Sequence, residues 1–277
     1  MINTTGNFVA KSGAQIFTQC WLPDAEIKAV LVIAHGLGEH SGRYLPFVEH
    51  FVALGYGVYA LDHEGHGRSQ GRRGYIPHLS TFVETLFQYI SQIKDKHRDK
   101  KFFLVGHSMG GVISVNYLLR HEETLSGCIL SGSALATDEV IGPVLKWILK
   151  GLSLLMPKAQ IIKLEGEAVS RDPEVVHRYL SDPLVFHGKV TARLLTAILS
   201  GADHGLEKAA KITLPLLIMH GGDDGLASPK GSQMLFERVS STDKTLKIYD
   251  NLFHEIFLEP EKMQVFADTE RWLEARV

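Results

Sequence analysis

Three residues far apart in the chain could together carry acyl-transfer chemistry. Ser108 lies in Gly106-His107-Ser108-Met109-Gly110-Gly111, after the apolar run Phe102-Phe103-Leu104-Val105 and before a helix-compatible stretch. A serine on a tight strand-to-helix turn holds its hydroxyl clear of the backbone, and such a turn needs glycine where side chains would collide. Serine is a weak nucleophile. It needs an imidazole to take its proton, and the imidazole needs a carboxylate to fix its tautomer. His254 follows a strand-like run at 245–249, and Asp223 and Asp224 follow another at 214–220. The order Ser, acid, His suits a nucleophile on a strand–turn–helix elbow. On this reading either aspartate could serve as the acid. His220, which ends its strand beside them, reads as support for the acid loop.

Acyl transfer builds negative charge on a carbonyl oxygen, and preorganised backbone N–H groups stabilise it. One donor is expected from Met109, the residue after the nucleophile. The other is expected from the loop after the first inner strand, His35-Gly36-Leu37-Gly38, with Leu37 N–H as the natural candidate. The glycines of that loop let backbone approach a substrate closely.

Regular elements must hold these groups. Residues 5–22 alternate around the turn signal Lys11-Ser12-Gly13 and read as an antiparallel hairpin. Strand-like runs follow at 29–34, 57–61, 101–105, 127–131, 214–220 and 245–249, several of them continuously apolar, as strands covered on both faces should be. Helical patterns lie between and after them at 44–54, 80–98, 109–121, 229–239 and 260–275. This alternation predicts an α/β fold with a mostly parallel sheet and helices on both faces. The alternation fails between 133 and 213, where helix-like pieces but no clear strand occur. The chain is therefore read as one domain over 1–277 with a helical cap at about 134–190 inserted over the carboxyl edge of the sheet, where open α/β sheets bind ligands.

A length of 277 residues and a net charge of −2 fit one such domain and give no nucleic-acid signal. Cys20 and Cys128 fall in strand-like segments and read as small apolar residues. The first residues carry no basic and apolar leader pattern, and no apolar run approaches the ~20 residues of a membrane span, so the expected location is cytoplasmic. His63-Glu64-Gly65-His66 lacks the His-Glu-x-x-His spacing, and neither a dinucleotide nor a phosphate-loop glycine pattern is complete, so no metal or cofactor is expected. His63, His66 and Arg68 read as hydrogen-bonding supports of their loop.

The segments His35-Gly36-Leu37-Gly38-Glu39-His40-Ser41-Gly42-Arg43-Tyr44 and Gly106-His107-Ser108-Met109-Gly110-Gly111 together resemble the monoacylglycerol lipases. Asp62-His63-Glu64-Gly65-His66-Gly67-Arg68-Ser69 resembles the Asp-His-x-Gly-His-Gly-x-Ser loop of the same group, and Lys244-Thr245-Leu246-Lys247-Ile248-Tyr249 its segment before the histidine. The resemblance implies an α/β-hydrolase fold and a serine hydrolase that cleaves a monoacylglycerol into glycerol and fatty acid. It carries over Ser108, Asp224 and His254 as the triad, the family spacing His-Gly-x-x-Asp favouring Asp224 over Asp223. Leu37 and Met109 carry over as oxyanion donors, and Glu39, Arg43 and Tyr179 as residues at the glycerol end. Glu39 reads equally as a structural partner of Arg43 at i,i+4. Two departures stand out. The family's second histidine, used near the glycerol, is Phe257 here, and a cysteine three residues after the acid is Ala227.

Within the gap, residues 143–157 put Val144, Leu145, Ile148, Leu149, Leu152, Leu155 and Met156 on one helical face and Lys146, Lys150 and Ser153 on another, with Trp147 between. This helix is expected either to line an acyl tunnel and touch a membrane surface near Trp147, or to pack its apolar face on the core with its lysines in water. The first expected function is hydrolysis of a small-molecule lipid ester. Lysophospholipid or broad medium-chain ester hydrolysis, invited by Phe257, is the alternative. A lipid-binding receptor on a hydrolase scaffold is a further one.

Overall fold

The apolar runs become the inner strands of an eight-stranded sheet. In the computed structural model, which describes residues 1–137, 141–163 and 166–277, the strands are β1 (Ile2–Val9), β2 (Gln15–Leu22), β3 (Val30–Ala34), β4 (Gly57–Leu61), β5 (Phe102–His107), β6 (Gly127–Ser131), β9 (Leu216–Gly221) and β10 (Lys244–Tyr249). A separate two-stranded ribbon pairs β7 (Gln160–Lys163) with β8 (Lys189–Thr191). The sheet order is β1-β2-β4-β3-β5-β6-β9-β10. The hairpin β1–β2 is antiparallel and joins β4 antiparallel, and the pairs from β4 to β10 are parallel.

Every residue of β3, β4, β5 and β6 is buried. Successive side chains point to opposite faces, so β3 feeds both cores. Val30, Val32 and Ala34 join the core on one side of the sheet, where α2 (Leu79–Lys96), α3 (Met109–His121) and α6 (Ala192–Lys208) pack. Leu31 and Ile33 join the other, with Phe47 and Phe51 of α1 (Leu45–Ala53) and Phe266 of α8 (Lys262–Glu274). Helix α7 (Lys230–Arg238) completes the alternation between β9 and β10. Cys128 is buried in β6 and Cys20 half-buried in β2, both as free thiols.

The gap in the alternation holds α4 (Pro143–Leu155), β7, α5 (Pro173–Ser181), β8 and then α6. Residues 138–140 and 164–165 of the expected cap lie outside the described residues. Local sequence sets the start of helix α5. Asp172 caps it by accepting from Glu174 N–H at 2.9 Å, and Pro173 fills the first turn, where its missing N–H costs nothing. Two corrections belong here. The ribbon β7–β8 was not expected, because four and three residues are too short to display a period of two. Helix α4 is also turned the other way from the ordinary packed arrangement. Lys146, Leu149 and Ser153 face α6, with Lys146 ion-paired to Asp203 at 3.0 Å and Arg193 donating to the Ser153 carbonyl at 2.8 Å. Val144, Trp147, Ile148, Leu154 and Leu155 are exposed, Trp147 at 77 % and Leu155 at 85 %. The ion pair and the backbone acceptor hold Lys146, Leu149 and Ser153 inward, Leu145 and Leu149 line the cavity beneath, and Lys150 with most of the remaining apolar side chains is left outward.

Candidate active site

The strand β5 ends at His107, and Ser108 turns the chain into α3 with φ 54° and ψ −117°. This backbone conformation is strained for a residue with a side chain and costs on the order of 1–3 kcal/mol. The surroundings enforce it. Ser108 N–H donates to the Ser131 carbonyl at the end of β6, at 3.0 Å. A Cβ at Gly110 would lie 1.9 Å from the Ala34 carbonyl oxygen, and one at Gly106 would lie 2.2 Å from Ser114 Oγ. Glycine therefore lets the first turn of α3 butt directly on the end of β3.

Asp224 and His254, the acid and base expected from sequence, come from the loops after β9 and β10. Those loops are fastened to each other by Gly222 N–H to the Tyr249 carbonyl at 2.7 Å and Asp223 N–H to the Leu252 carbonyl at 3.0 Å. Asn251 takes the left-handed conformation (φ 62°) that its short polar side chain tolerates. His254 Nδ1 then meets Asp224 Oδ2 at 2.6 Å, and Asp224 Oδ1 accepts the N–H groups of Leu226 (2.8 Å) and Ala227 (2.9 Å). Asp223 is exposed and the carboxylate that meets His254 is that of Asp224, so the geometry selects Asp224 between the two. His220 is buried behind it, with Nε2 3.1 Å from Asp224 Oδ2 and 2.9 Å from the Ala227 carbonyl, and Nδ1 2.7 Å from Ser232 Oγ. That is the supporting position expected from sequence.

Burial alone would push the His254 imidazole down, but the adjacent Asp224 carboxylate outweighs it and raises it. Burial would push Asp224 up, and His254 and His220 instead hold it below the usual carboxylate range. His107, beside the serine, is pushed down to about 3 by burial and by His254, so it is a neutral ring that holds Ser131.

Ser108, His254, Leu37 and Met109 all line one cavity of about 620 Å³. Ser108 and His254 face it without a hydrogen bond between them. Such bonds are commonly long in the unliganded state and tighten around substrate. Neither Leu37 N–H nor Met109 N–H has an acceptor within the described structure. The cavity runs from these polar groups to an apolar end formed by Ile141, Leu145, Leu149, Leu195, Ile198 and Leu199.

Glu39 lines the same cavity and also anchors the loop after β3 that carries Leu37. Its Oε1 accepts Gly36 N–H at 2.6 Å and the Tyr44 hydroxyl at 2.7 Å, while Oε2 accepts from Arg43 Nε at 3.2 Å. The i,i+4 pairing with Arg43 expected of it is thus observed, on a residue that also lines the cavity. Tyr179 of α5 lines the cavity, and the Arg43 guanidinium stacks 4.7 Å from its ring centroid. Arg43 itself does not line this cavity but a smaller cleft behind Glu39. Phe257, expected at the glycerol end, is corrected in the same way. It packs against Phe47 at 4.9 Å in the aromatic core and fronts only the smaller cleft. An aromatic ring in a position that abuts Phe47 and Phe266 gains more from burial than from water. Sequence reasoning missed Glu255, which lines both spaces and bonds Arg43 Nη2 at 2.5 Å. Its place directly after His254 was the available signal.

The loop at 62–69 braces the site. Asp62 Oδ1 accepts from Ser41 N (2.9 Å) and Oγ (2.5 Å), and Oδ2 accepts Arg68 N–H at 2.8 Å. His66 Nδ1 meets the Glu64 carbonyl at 3.1 Å. His63 is different from expectation: neither ring nitrogen has a partner, and the ring packs between His35 (4.4 Å) and Phe82 (5.2 Å).

A profile of the family described as serine aminopeptidase, S33, matches residues 25–261. A monoacylglycerol lipase of Mycolicibacterium smegmatis is 40 % identical over 267 residues, covering 96 % of this chain and 95 % of that one. The chain belongs to the monoacylglycerol lipase family of α/β hydrolases. The crystal structure of the Paleococcus ferrophilus monoacylglycerol lipase is similar over the whole of both chains, at 29 % identity and a TM-score of 0.84. A soluble variant of the Saccharomyces cerevisiae monoglyceride lipase, in complex with a substrate analogue, aligns at a TM-score of 0.88 and 25 % identity, covering 99 % of this chain and 95 % of that one. Membership of the monoacylglycerol lipase family accounts for the elbow and the sheet together, and the expected α/β-hydrolase fold is the one observed.

Proposed function

We propose that this protein hydrolyses monoacylglycerols to glycerol and free fatty acid, with Ser108, Asp224 and His254 as its triad. The observation that carries this is the cavity itself: reactive groups and two unengaged N–H donors at one end, aliphatic side chains at the other. On this reading residues 134–190 are a cap over the sheet edge. The acyl chain lies toward Leu145, Leu149 and Leu199, and the alcohol lies toward Glu39 and Tyr179.

Ser108 Oγ attacks the ester carbonyl as His254 Nε2 takes its proton. Asp224 on Nδ1 holds the tautomer and stabilises the imidazolium. The carbonyl oxygen becomes an oxyanion held by Leu37 and Met109 N–H, each donor contributing a factor on the order of 10²–10³. Collapse breaks the ester C–O bond, and His254 returns the proton to the departing glycerol oxygen. Water, deprotonated by His254, then attacks the acyl-serine, and fatty acid leaves as Ser108 regains its proton.

Among the described residues, no helix is long and apolar enough to cross a membrane. The exposed apolar side of α4, with Lys150 5.9 Å from the Trp147 ring centroid, supports peripheral contact with lipid surfaces. The test is fatty-acid release from monooleoylglycerol, lysophosphatidylcholine and a short-chain ester, with Ser108→Ala as the blank. Multiple turnovers fastest on monooleoylglycerol are expected. Equal or faster release from lysophosphatidylcholine would overturn the substrate assignment, and turnover retained in Ser108→Ala would overturn the nucleophile.

A further inference from the structure

The wall of the cavity beside His254 carries charge that the triad does not use. Glu39, Arg43 and Glu255 form one buried cluster, each side chain 7 % exposed or less. Arg43 donates from Nε to Glu39 at 3.2 Å and from Nη2 to Glu255 at 2.5 Å. The two carboxylates line the substrate cavity, and the guanidinium lies behind them. Two acids thus share one base, and with all three ionised the cluster presents a net charge of about −1 toward the space where the alcohol would sit. No other Lys or Arg lines the smaller cleft among the described residues, since Phe257 fills the remaining side. The one Lys or Arg among the described residues lining the main cavity is Lys163, which stands on the cap strand β7 beside Ile161 and Ile162.

We infer that Glu255, acting with Glu39, is a specificity-determining charge filter: the alcohol subsite accepts uncharged polyols and cationic groups and disfavours an alcohol bearing a phosphate monoester. This rests on the ester-hydrolase reading of the same site. Unit charges of like sign about 6 Å apart, at an effective dielectric near 20, repel by a factor on the order of 10² in affinity. Burial pushes the Glu255 carboxyl up, Arg43 opposing and Glu39 reinforcing, to about 7. The groups that face it are Arg43, Glu39, His254 and, through Arg43, Tyr179. The filter is therefore read at pH 8.5, where both carboxylates are ionised.

Calorimetric binding of three non-hydrolysable ethers tests it without relying on turnover: 1-O-octylglycerol, its 3-phosphate, and the analogue carrying a 3-trimethylammonium group. The wild-type protein is expected to bind the phosphate at least tenfold more weakly than the neutral ether, and the ammonium ether no more weakly than the neutral one. In Glu255→Gln the phosphate-to-neutral ratio of Kd should fall at least fivefold. Phosphate binding within threefold of neutral in the wild type would overturn the filter, as would an unchanged ratio in a folded Glu255→Gln. If that variant does not fold, the wild-type order of the three ethers decides alone. A protein that shows the predicted order but releases no fatty acid from monooleoylglycerol keeps the filter and loses the substrate assignment.

Discussion

His254 Nδ1 and Asp224 Oδ2 stand 2.6 Å apart, while the other oxygen of the same carboxylate is occupied by two backbone N–H groups. The acid is thus locked before the imidazole is, and the imidazole can present only Nε2 to the cavity. Because the imidazole is raised by its partner, it serves as a base only after losing its proton, so activity should climb as pH rises through that raised value. Asp224→Asn should lower kcat by a factor on the order of 10⁴ and move this limb of the pH–rate profile to lower pH. A limb unmoved in the variant would assign the titration to another group.

The same pair makes a signed prediction about stability. Asp224 is depressed on folding, so its contribution is present above its unfolded value near ~3.9 and is lost as pH falls through the folded one. His254 is raised, so its contribution is full below its unfolded value near ~6.5 and is lost as pH rises through the folded one. The destabilisation caused by Asp224→Asn should therefore be greatest between about pH 4 and 6.5 and shrink on either side. Melting temperatures of both proteins across pH 3–9 check it.

Ser108 holds a conformation that only glycine adopts without strain. Ser108→Gly should abolish turnover, a loss on the order of 10⁶, yet stabilise the fold by about 1 kcal/mol. Ser108→Ala should lose turnover equally and gain no such stability, because it keeps the Cβ. Urea midpoints of the three proteins separate strain from chemistry, and equal midpoints for Gly and Ala would remove the strain argument.

How much of this was readable in the chain follows from the range of each interaction. The elbow was legible because its parts are contiguous: an apolar strand, two glycines that meet Ser114 and Ala34, and a helix. Asp224 and His254 were legible as the ends of strands β9 and β10; strand position alone left Asp223 and Asp224 open, the family spacing favoured Asp224, and the 2.6 Å contact with His254 falls on it. The orientation of α4 was not legible. The buried side mixes Leu149 with Lys146 and Ser153 while Lys150 stays outside, because Lys146 finds Asp203 and Arg193 finds the Ser153 carbonyl through contacts of long sequence separation. Phe257 was placed at the glycerol end and Glu255 was missed for the same reason. Whether a side chain enters the cavity or the aromatic core depends on Arg43 and Phe47, more than 200 residues earlier.

Close packing at the elbow makes Gly110 the most intolerant position of the site. A methyl there would overlap the Ala34 carbonyl oxygen at 1.9 Å, with backbone on both sides and no flexible side chain to yield. Gly110→Ala should cost several kcal/mol and shift α3 relative to β3, which also moves Met109 N–H. Gly151→Ala, on the exposed side of α4 with open space around its Cβ, should instead stabilise its helix by about 0.5–1 kcal/mol. Chemical denaturation of the two variants should show opposite signs.

The outward apolar side of α4 gives the last prediction. Trp147, Leu154 and Leu155 are each more than 70 % exposed, and none of them lines the cavity. Water penalises such a patch at roughly 25 cal/mol per Å², a cost recovered when the patch enters the acyl–headgroup boundary of a lipid surface. Replacing the three by serine should therefore weaken binding to phosphatidylcholine vesicles and slow hydrolysis of vesicle-borne monooleoylglycerol. That loss should exceed any loss on a short-chain ester in solution by tenfold or more. The melting temperature should stay constant or rise, because no buried contact is removed. A matched loss on both substrates would instead mean that these side chains act on the cavity through α4, and that the patch is not what meets the lipid.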